Sequence, residues 1–165
     1  MPMGPMKNKY ITLVFTAGFV VLLDQLTKWL ITRYLPFYSE KKIIPGLLNL
    51  IHIHNPGGAF GIFANHQGTM RSVAFIGIAV AAMGLILYLY KKTPTEYPVL
   101  SVGLALIFGG AFGNMIDRLR IGQVIDFIDL YVGRLHWPAF NIADSAITVG
   151  MVIFAFYILF RKVEL

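Results

Sequence analysis

Four long apolar stretches limit what this sequence can fold into. They cover about residues 11–33, 72–90, 97–117 and 139–160, and the second holds no charged residue. Each is close to the roughly 20 residues that a helix needs to cross the hydrocarbon core of a bilayer. Because backbone polar groups in lipid must be satisfied within the segment, these stretches predict membrane helices rather than strands.

Composition supports a membrane protein and excludes several functions. The chain is 57% hydrophobic and only 13% charged, whereas roughly a quarter of an ordinary soluble domain is charged. The net charge of +6 is dispersed, so we attribute it to contacts with anionic lipid headgroups and predict no nucleic-acid partner. The absence of cysteine excludes disulfides and thiol catalysis.

The connections between the spans differ in character. Residues 36–71 and 119–138 contain two β-branched, apolar runs, Leu48 to Asn55 and Val124 to Val132, which predict short strands. With four spans, these two connections lie on one side of the membrane. No small-residue cleavage site follows the first apolar core, so we predict an uncleaved span there. The sequence therefore predicts one membrane all-α domain over residues 1–165, four transmembrane helices with a small β-rich cap.

Polar residues within the spans concentrate at the ends that face these two connections. The late part of the first span, the end of the third and the start of the fourth carry Asp24 and Lys28, then Asn114, Asp117 and Arg118, then Asn141 and Asp144. Helical spacing places Asp24 with Lys28, Gly110 with Asn114 and Arg118, and Asn141 with Asp144 on shared faces. A charge at mid-bilayer costs about 2.5–3.5 kcal/mol, so such residues usually face a polar cavity. We therefore predict a site at this end, although Lys28 and Asp117 taken separately also fit an interfacial position.

Most catalytic chemistries lack the residues they need. There is no His-Glu-x-x-His pattern, and His52 and His54 have no third ligand at a recognisable spacing, so we predict no metal. No serine has an evident partner base. What remains is a pair of carboxyl groups, as in aspartic peptidases, where one activates water and the other donates a proton.

Five aspartates are candidates for such a pair: Asp24, Asp117, Asp126, Asp129 and Asp144. In an extended strand, Asp126 and Asp129 point to opposite faces and cannot share a cavity. Asp117 adjoins Arg118, which predicts a local ion pair. The residues alone favour Asp144 with either Asp126 or Asp24 and do not choose between them.

Five blocks resemble the lipoprotein signal peptidase (signal peptidase II) family, in the family's order. They are Asp24-Gln-Leu-Thr-Lys28, Asn55-Pro-Gly-Gly-Ala-Phe60, Gly109-Gly-Ala-Phe-Gly-Asn-Met-Ile-Asp-Arg118, Val124-Ile-Asp-Phe-Ile128 and Phe140-Asn-Ile-Ala-Asp144. One departure is Gly58, where the family usually has Ala or Val. The resemblance implies that Asp126 and Asp144 are the catalytic dyad. It also implies a substrate pocket lined by Asp24, Asn55, Gly110, Asn114, Arg118 and Asn141, and we count Lys28 of the first block with them.

The resemblance further implies the substrate and the location. The family removes signal peptides from prolipoproteins, before a diacylglyceryl-modified cysteine, at the outer face of the bacterial cytoplasmic membrane, and globomycin inhibits it. We accordingly expect prolipoprotein substrates, membrane lipids as partners, a monomer, no cofactor and cytoplasmic termini. The alternative from the residues is a small transporter or channel subunit that uses the intramembrane Asp and Asn residues. Such a path should carry polar groups through the whole bilayer, whereas the second span is almost wholly apolar.

Overall fold

The computed structural model describes residues 5–57 and 69–161 of the chain. The helices are α1 (Pro5–Tyr34), α2 (Thr69–Lys92), α3 (Pro98–Ile121) and α4 (Ile142–Phe160). The strands are β1 (Glu40–Ile44), β2 (Leu48–Asn55), β3 (Val124–Val132) and β4 (Leu135–His136). All four helices are long and apolar enough to cross a membrane. Four such helices with a small sheet confirm the predicted fold class. Gly58, Ala59 and Phe60 of the second block lie outside the described residues.

Helix α3 is the centre of the bundle, and the other three helices pack against it. Its glycines allow close approach. A methyl group added at Gly109 would come within 2.9 Å of the Ala17 backbone in α1, and one added at Gly110 would meet the Ala143 carbonyl oxygen of α4. These glycines therefore allow α1 and α4 to pack closely against α3, since small residues let membrane helices approach. Large apolar side chains on the outer faces remain exposed, such as Phe15 at 73%, as expected for surfaces that contact lipid.

The sheet is antiparallel, in the order β1-β2-β3-β4. Gly122 ends α3 in a left-handed conformation (φ 74°), and its N–H donates to the Arg118 carbonyl oxygen. Glycine adopts that conformation without strain, so the chain enters β3 two residues later. The register pairs Ile53 with Asp126 and His54 with Ile125.

A short bridge attaches the start of α4 to β3. The N–H groups of Phe127 and Ile128 donate to the Phe140 carbonyl oxygen, at 3.0 and 2.9 Å, and the Phe140 N–H donates back to Ile128 at 3.1 Å. Helix α4 begins two residues later, at Ile142. The bridge therefore places the first turn of α4 beside the strand that carries Asp126.

Candidate active site

Asp126 lies on β3 and is 1% exposed. Two amides hold it: Asn55 Nδ2 donates to Oδ2 at 2.9 Å, and Asn141 Nδ2 donates to Oδ1 at 2.8 Å. Burial above all, together with the neighbouring charge of Asp144, raises the pKa of Asp126 from 3.8 to about 6 against the opposing effects of the two hydrogen bonds and of Lys28. The carboxyl group of Asp126 is therefore half-protonated near pH 6 and about one-tenth protonated at pH 7.

Asp144 is fixed in the first turn of α4 by a reciprocal cap. The Asp144 N–H donates to Asn141 Oδ1 at 2.9 Å, and the Asn141 N–H donates back to Asp144 Oδ2 at 3.3 Å. This is the capping-box arrangement, which satisfies two otherwise unpaired N–H groups at a helix start. The other oxygen, Oδ1, accepts from Asn114 Nδ2 at 2.8 Å.

The two carboxyl groups are linked through these asparagines. Asn141 Nδ2, which donates to Asp126, also lies 3.2 Å from Asn114 Oδ1, and Asn114 Nδ2 donates to Asp144. A chain of contacts thus runs from Asp126 through Asn141 and Asn114 to Asp144. Among the described residues, no cation bonds either carboxyl group. Both carboxyl groups are therefore held by neutral amides, and the charge of Asp144 acts on Asp126.

A second carboxylate pair lies beside the first and is neutralised by a lysine. Lys28, 2% exposed, bonds Asp24 Oδ2 at 2.8 Å, Asp117 Oδ2 at 2.7 Å and Asn114 Oδ1 at 3.0 Å. An ammonium group has three protons, so all of them point at protein acceptors. The bond to Asn114 Oδ1 also fixes that amide with its Nδ2 towards Asp144. Lys28 therefore reaches the candidate dyad through Asn114.

Gln25 is a member of this cluster that the sequence analysis did not single out. Its Nε2 lies within hydrogen-bond distance of Asp24 Oδ2 at 3.2 Å, the Gly113 carbonyl oxygen at 3.2 Å and Asp117 Oδ1 at 3.0 Å. It thereby joins α1 to α3. A glutamine between Asp24 and Lys28 inside an apolar span was the available signal.

Asp117, Arg118 and Asp24 each contact a residue of another helix. The predicted ion pair of Asp117 with Arg118 is wrong, because Asp117 pairs with Lys28 and neighbouring helix positions do not face each other. The Arg118 guanidinium lies 5.4 Å from the Phe75 ring centroid and within electrostatic range of Asp144 and Asp126. Asp24 accepts from the Ala143 N–H at 3.0 Å and so ties α1 to the start of α4.

Asp129 is directed away from this group, as the strand argument predicted. Its Oδ2 accepts from Asn49 Nδ2 at 2.9 Å and its Oδ1 lies 2.8 Å from His136 Nδ1. Within the described ranges 5–57 and 69–161, no three His, Cys, Asp or Glu residues form a group that could hold a metal. His52 instead donates from Nδ1 to the Leu35 carbonyl oxygen at 2.8 Å.

Known proteins resemble this chain over most of its length. The family described as signal peptidase (SPase) II matches residues 16–160. The chain belongs to the signal peptidase II family. A lipoprotein signal peptidase of Desulforapulum autotrophicum is 48% identical, over 93% of this chain and 94% of that one. One from Syntrophus aciditrophicus is 43% identical, over 89% and 91%.

Solved structures agree with this family. A bacterial membrane enzyme determined by the in meso method at 1.9 Å has a TM-score of 0.80 and 32% identity, with 90% of this chain and 93% of that chain covered. A second, at 2.3 Å, also has a TM-score of 0.80, with 34% identity and 93% of each chain covered. This member of the signal peptidase II family is therefore a bacterial multi-pass membrane protease.

Proposed function

We propose that the chain cleaves prolipoproteins immediately before the diacylglyceryl-modified cysteine, as an aspartic endopeptidase with Asp126 and Asp144 as the reacting pair. The observation that carries this proposal is the linked pair itself: two carboxyl groups joined through Asn141 and Asn114, with no cation bonded to either among the residues described. The neighbouring pair, Asp24 and Asp117, has Lys28 between its members and is unsuited to share a proton.

The pair divides into an acid and a base. Asp126, with its pKa raised to about 6, is the group to which we assign the proton of the reactive form. Asp144 lies in the first turn of α4, where the helix dipole favours negative charge, and takes a proton from the attacking water. The water oxygen bonds to the scissile carbonyl carbon while Asp126 donates its proton to the carbonyl oxygen. When the tetrahedral intermediate collapses, the C–N bond breaks, Asp144 gives its proton to the leaving nitrogen, and Asp126 takes back a proton from a diol hydroxyl as the C=O bond re-forms.

The surroundings suit a substrate that comes from the membrane. A signal-peptide helix and two acyl chains reach this end of the bundle laterally through lipid. Arg118, held over the Phe75 ring, has guanidinium protons to offer to a peptide carbonyl or an acyl ester. The sheet provides edges that an extended segment can pair with. We place the site near the extracytoplasmic face of the cytoplasmic membrane, with cytoplasmic termini and a monomeric enzyme.

The test replaces each carboxyl group while keeping its shape. Asp126→Asn and Asp144→Asn should each lower cleavage of a purified diacylglyceryl-modified prolipoprotein by at least about 100-fold, the lower end for loss of an acid or base. Asp129→Asn is the matched control, because it changes another buried aspartate of the same strand. Mass spectrometry should show a product that begins at the modified cysteine, and globomycin should block its formation. Wild-type cleavage by both dyad variants would rule out the proposal.

A further inference from the structure

A polar cavity lies on the face of the sheet opposite Asp126. It measures about 330 Å³, and its walls include Trp29 and Thr32 of α1, Arg120 and Ile121 of α3, and His52 and His54 of β2. Ile125 also lines it, and adjacent strand residues point to opposite faces. This headgroup cavity, as we name it, is therefore separate from the candidate dyad.

Two groups in the headgroup cavity have bonding capacity left. His52 is 6% exposed, and its Nδ1 must carry the proton because it donates to the Leu35 carbonyl oxygen. Its Nε2 is then an acceptor, and this buried atom has no partner in the described part of the chain. Arg120 is exposed, and its Nη1 makes a long hydrogen bond of 3.5 Å to Gln25 Oε1. A ligand that brings a hydroxyl donor and an anionic oxygen would complement both.

The other two charged residues of the cavity, Lys28 and Asp117, already have protein partners. Lys28 directs all three protons at Asp24, Asp117 and Asn114. Asp117 accepts from Gln25 on Oδ1 and from Lys28 and the Ile125 N–H on Oδ2. Burial lowers the pKa of His54, and its neighbour His52 also lowers it, against the opposing charge of Asp117. Arg120 is thus the cation with protons to spare in this cavity.

An apolar groove follows the same helix face away from the cavity. It measures about 510 Å³ and is lined by Gly18, Leu22, Phe108 and Phe112, with Gln25 at its polar end. Gly18, Leu22, Gln25, Trp29 and Thr32 follow alternating spacings of four and three, so they share one face of α1. The groove and the headgroup cavity therefore follow one another along this face of α1, and we call the two together the path. Helix α2 contacts α1 through Tyr90 and contributes Leu87 to one wall of the groove. Leu22 on the α1 side is 68% exposed, so the groove opens towards lipid there.

We propose that this path binds a glycerophospholipid whose anionic headgroup carries a hydroxyl. The phosphate lies against Arg120, the hydroxyl donates to His52 Nε2, and an acyl chain fills the groove beside Phe108 and Phe112. Trp29, exposed at the cavity, is the residue type that marks the level of lipid headgroups. The apolar extension favours a lipid over a free phosphate ester, and the polar cavity favours it over a signal-peptide helix. This site goes beyond peptide cleavage and does not depend on the dyad.

Native mass spectrometry of the delipidated protein in detergent tests the site. Phosphatidylglycerol should bind more tightly than phosphatidylcholine, and Arg120→Gln should weaken phosphatidylglycerol binding about fivefold, as for one basic residue at a membrane surface. Arg134→Gln, an exposed arginine in the turn after β3, should leave it unchanged. The proposal is overturned by equal binding of the two lipids, or by wild-type binding in Arg120→Gln.

Two further experiments distinguish a phospholipid from other ligands of the cavity. The wild type should prefer phosphatidylglycerol over phosphatidylmethanol, a phosphodiester of the same charge without the headgroup hydroxyl, and His52→Phe should remove this preference. An unchanged preference would overturn the role of His52. If this variant fails to fold, the Arg120→Gln comparison decides the proposal alone. Glycerol 3-phosphate at equal concentration should not displace the lipid, and neither should a signal-peptide helix. Displacement by either one would overturn the assignment to a lipid.

Discussion

Two buried carboxylate pairs lie side by side at one end of the helix bundle, and they are built differently. Asp24 and Asp117 have the Lys28 ammonium between them, at 2.8 and 2.7 Å. Asp126 and Asp144 have the Asn141 and Asn114 amides instead. A cation stabilises both carboxylates in their charged form, whereas a neutral amide leaves their mutual repulsion in place. The first pair thus holds helices together, and the second is suited to proton transfer.

The two pairs are connected at Asn114. Its oxygen accepts from Lys28 and its nitrogen donates to Asp144, so the neutralised pair orients an amide of the other pair. Groups that hold an active site rigid allow reacting side chains to stay in productive geometry. Lys28 thereby acts on the position of the Asp144 carboxyl group through Asn114, without bonding it.

The largest effect should come from Lys28. Lys28→Met leaves two buried carboxylates without their cation, and breaking a buried pair in this way costs about 3–5 kcal/mol. The free energy of unfolding, measured by denaturant titration in mixed micelles, should fall by that order, with Lys41→Met as an exposed control. If Lys28→Met kept wild-type stability and lost only cleavage, Lys28 would be a substrate contact and the comparison would fail.

Asp126 should make stability depend on pH. Its pKa is raised from 3.8 to about 6 in the folded protein, so the folded state binds the proton more tightly than the unfolded state does. Its contribution is most favourable below about pH 4 and is lost as the pH rises to about 6, by about 3 kcal/mol in total. Asp126→Asn should remove this drop between pH 4 and 7, while Asp129→Asn should keep it. If the free energy of unfolding fell equally with pH in the wild type and in Asp126→Asn, the raised pKa of Asp126 would be contradicted.

Asn141 should show two separable roles. Asn141→Ala removes the N-cap of α4 and should cost about 1 kcal/mol. Asn141→Ser restores a good cap but not the amide that bonds Asp126. We therefore expect Asn141→Ser to recover most of the stability and little of the cleavage. Full recovery of both would reduce Asn141 to a helix cap.

The smallest expected effect is a shift of the pH profile. The Asn55 hydrogen bond lowers the pKa of Asp126, so Asn55→Ala should move the alkaline limb of kcat/KM upwards. One hydrogen bond contributes about 0.5–1.5 kcal/mol, so the shift should be about one pH unit or less. Asn49→Ala, which removes the equivalent bond to Asp129, should leave the profile in place. A downward shift in Asn55→Ala would contradict Asp126 as the acid.

Much of the fold follows from local sequence. The apolar lengths predicted four helices, and β-branched runs predicted β2 and β3 with the bounds observed, Leu48–Asn55 and Val124–Val132. Strand β1 was not predicted, because Glu40–Ile44 is exposed throughout and has no apolar alternation. It forms by pairing with β2, a contact that no local pattern encodes.

Prediction of the site depended more on contacts between residues that are far apart in the sequence. Spacing left Asp24 and Asp126 as equal partners for Asp144, and the motif resemblance chose Asp126. Asp126 and Asp144 lie near each other because the bridge between Phe140 and β3 brings the start of α4 to that strand. Local sequence patterns do not reveal this bridge. The pairing of Asp117 was mispredicted for the same reason, since Lys28 lies on another helix while Arg118 is merely adjacent in sequence.

Direct titration of the Asp126 carboxyl group tests the central contrast between the two pairs. Carboxyl ¹³C NMR of protein labelled at aspartate, with Asp126→Asn to assign the signal, follows it through pH 4 to 8. We expect a midpoint near pH 6 in the wild type and a lower one in Asp144→Asn, where the repelling charge is gone. A midpoint near pH 4 that Asp144→Asn leaves unchanged would contradict the shared-proton pair.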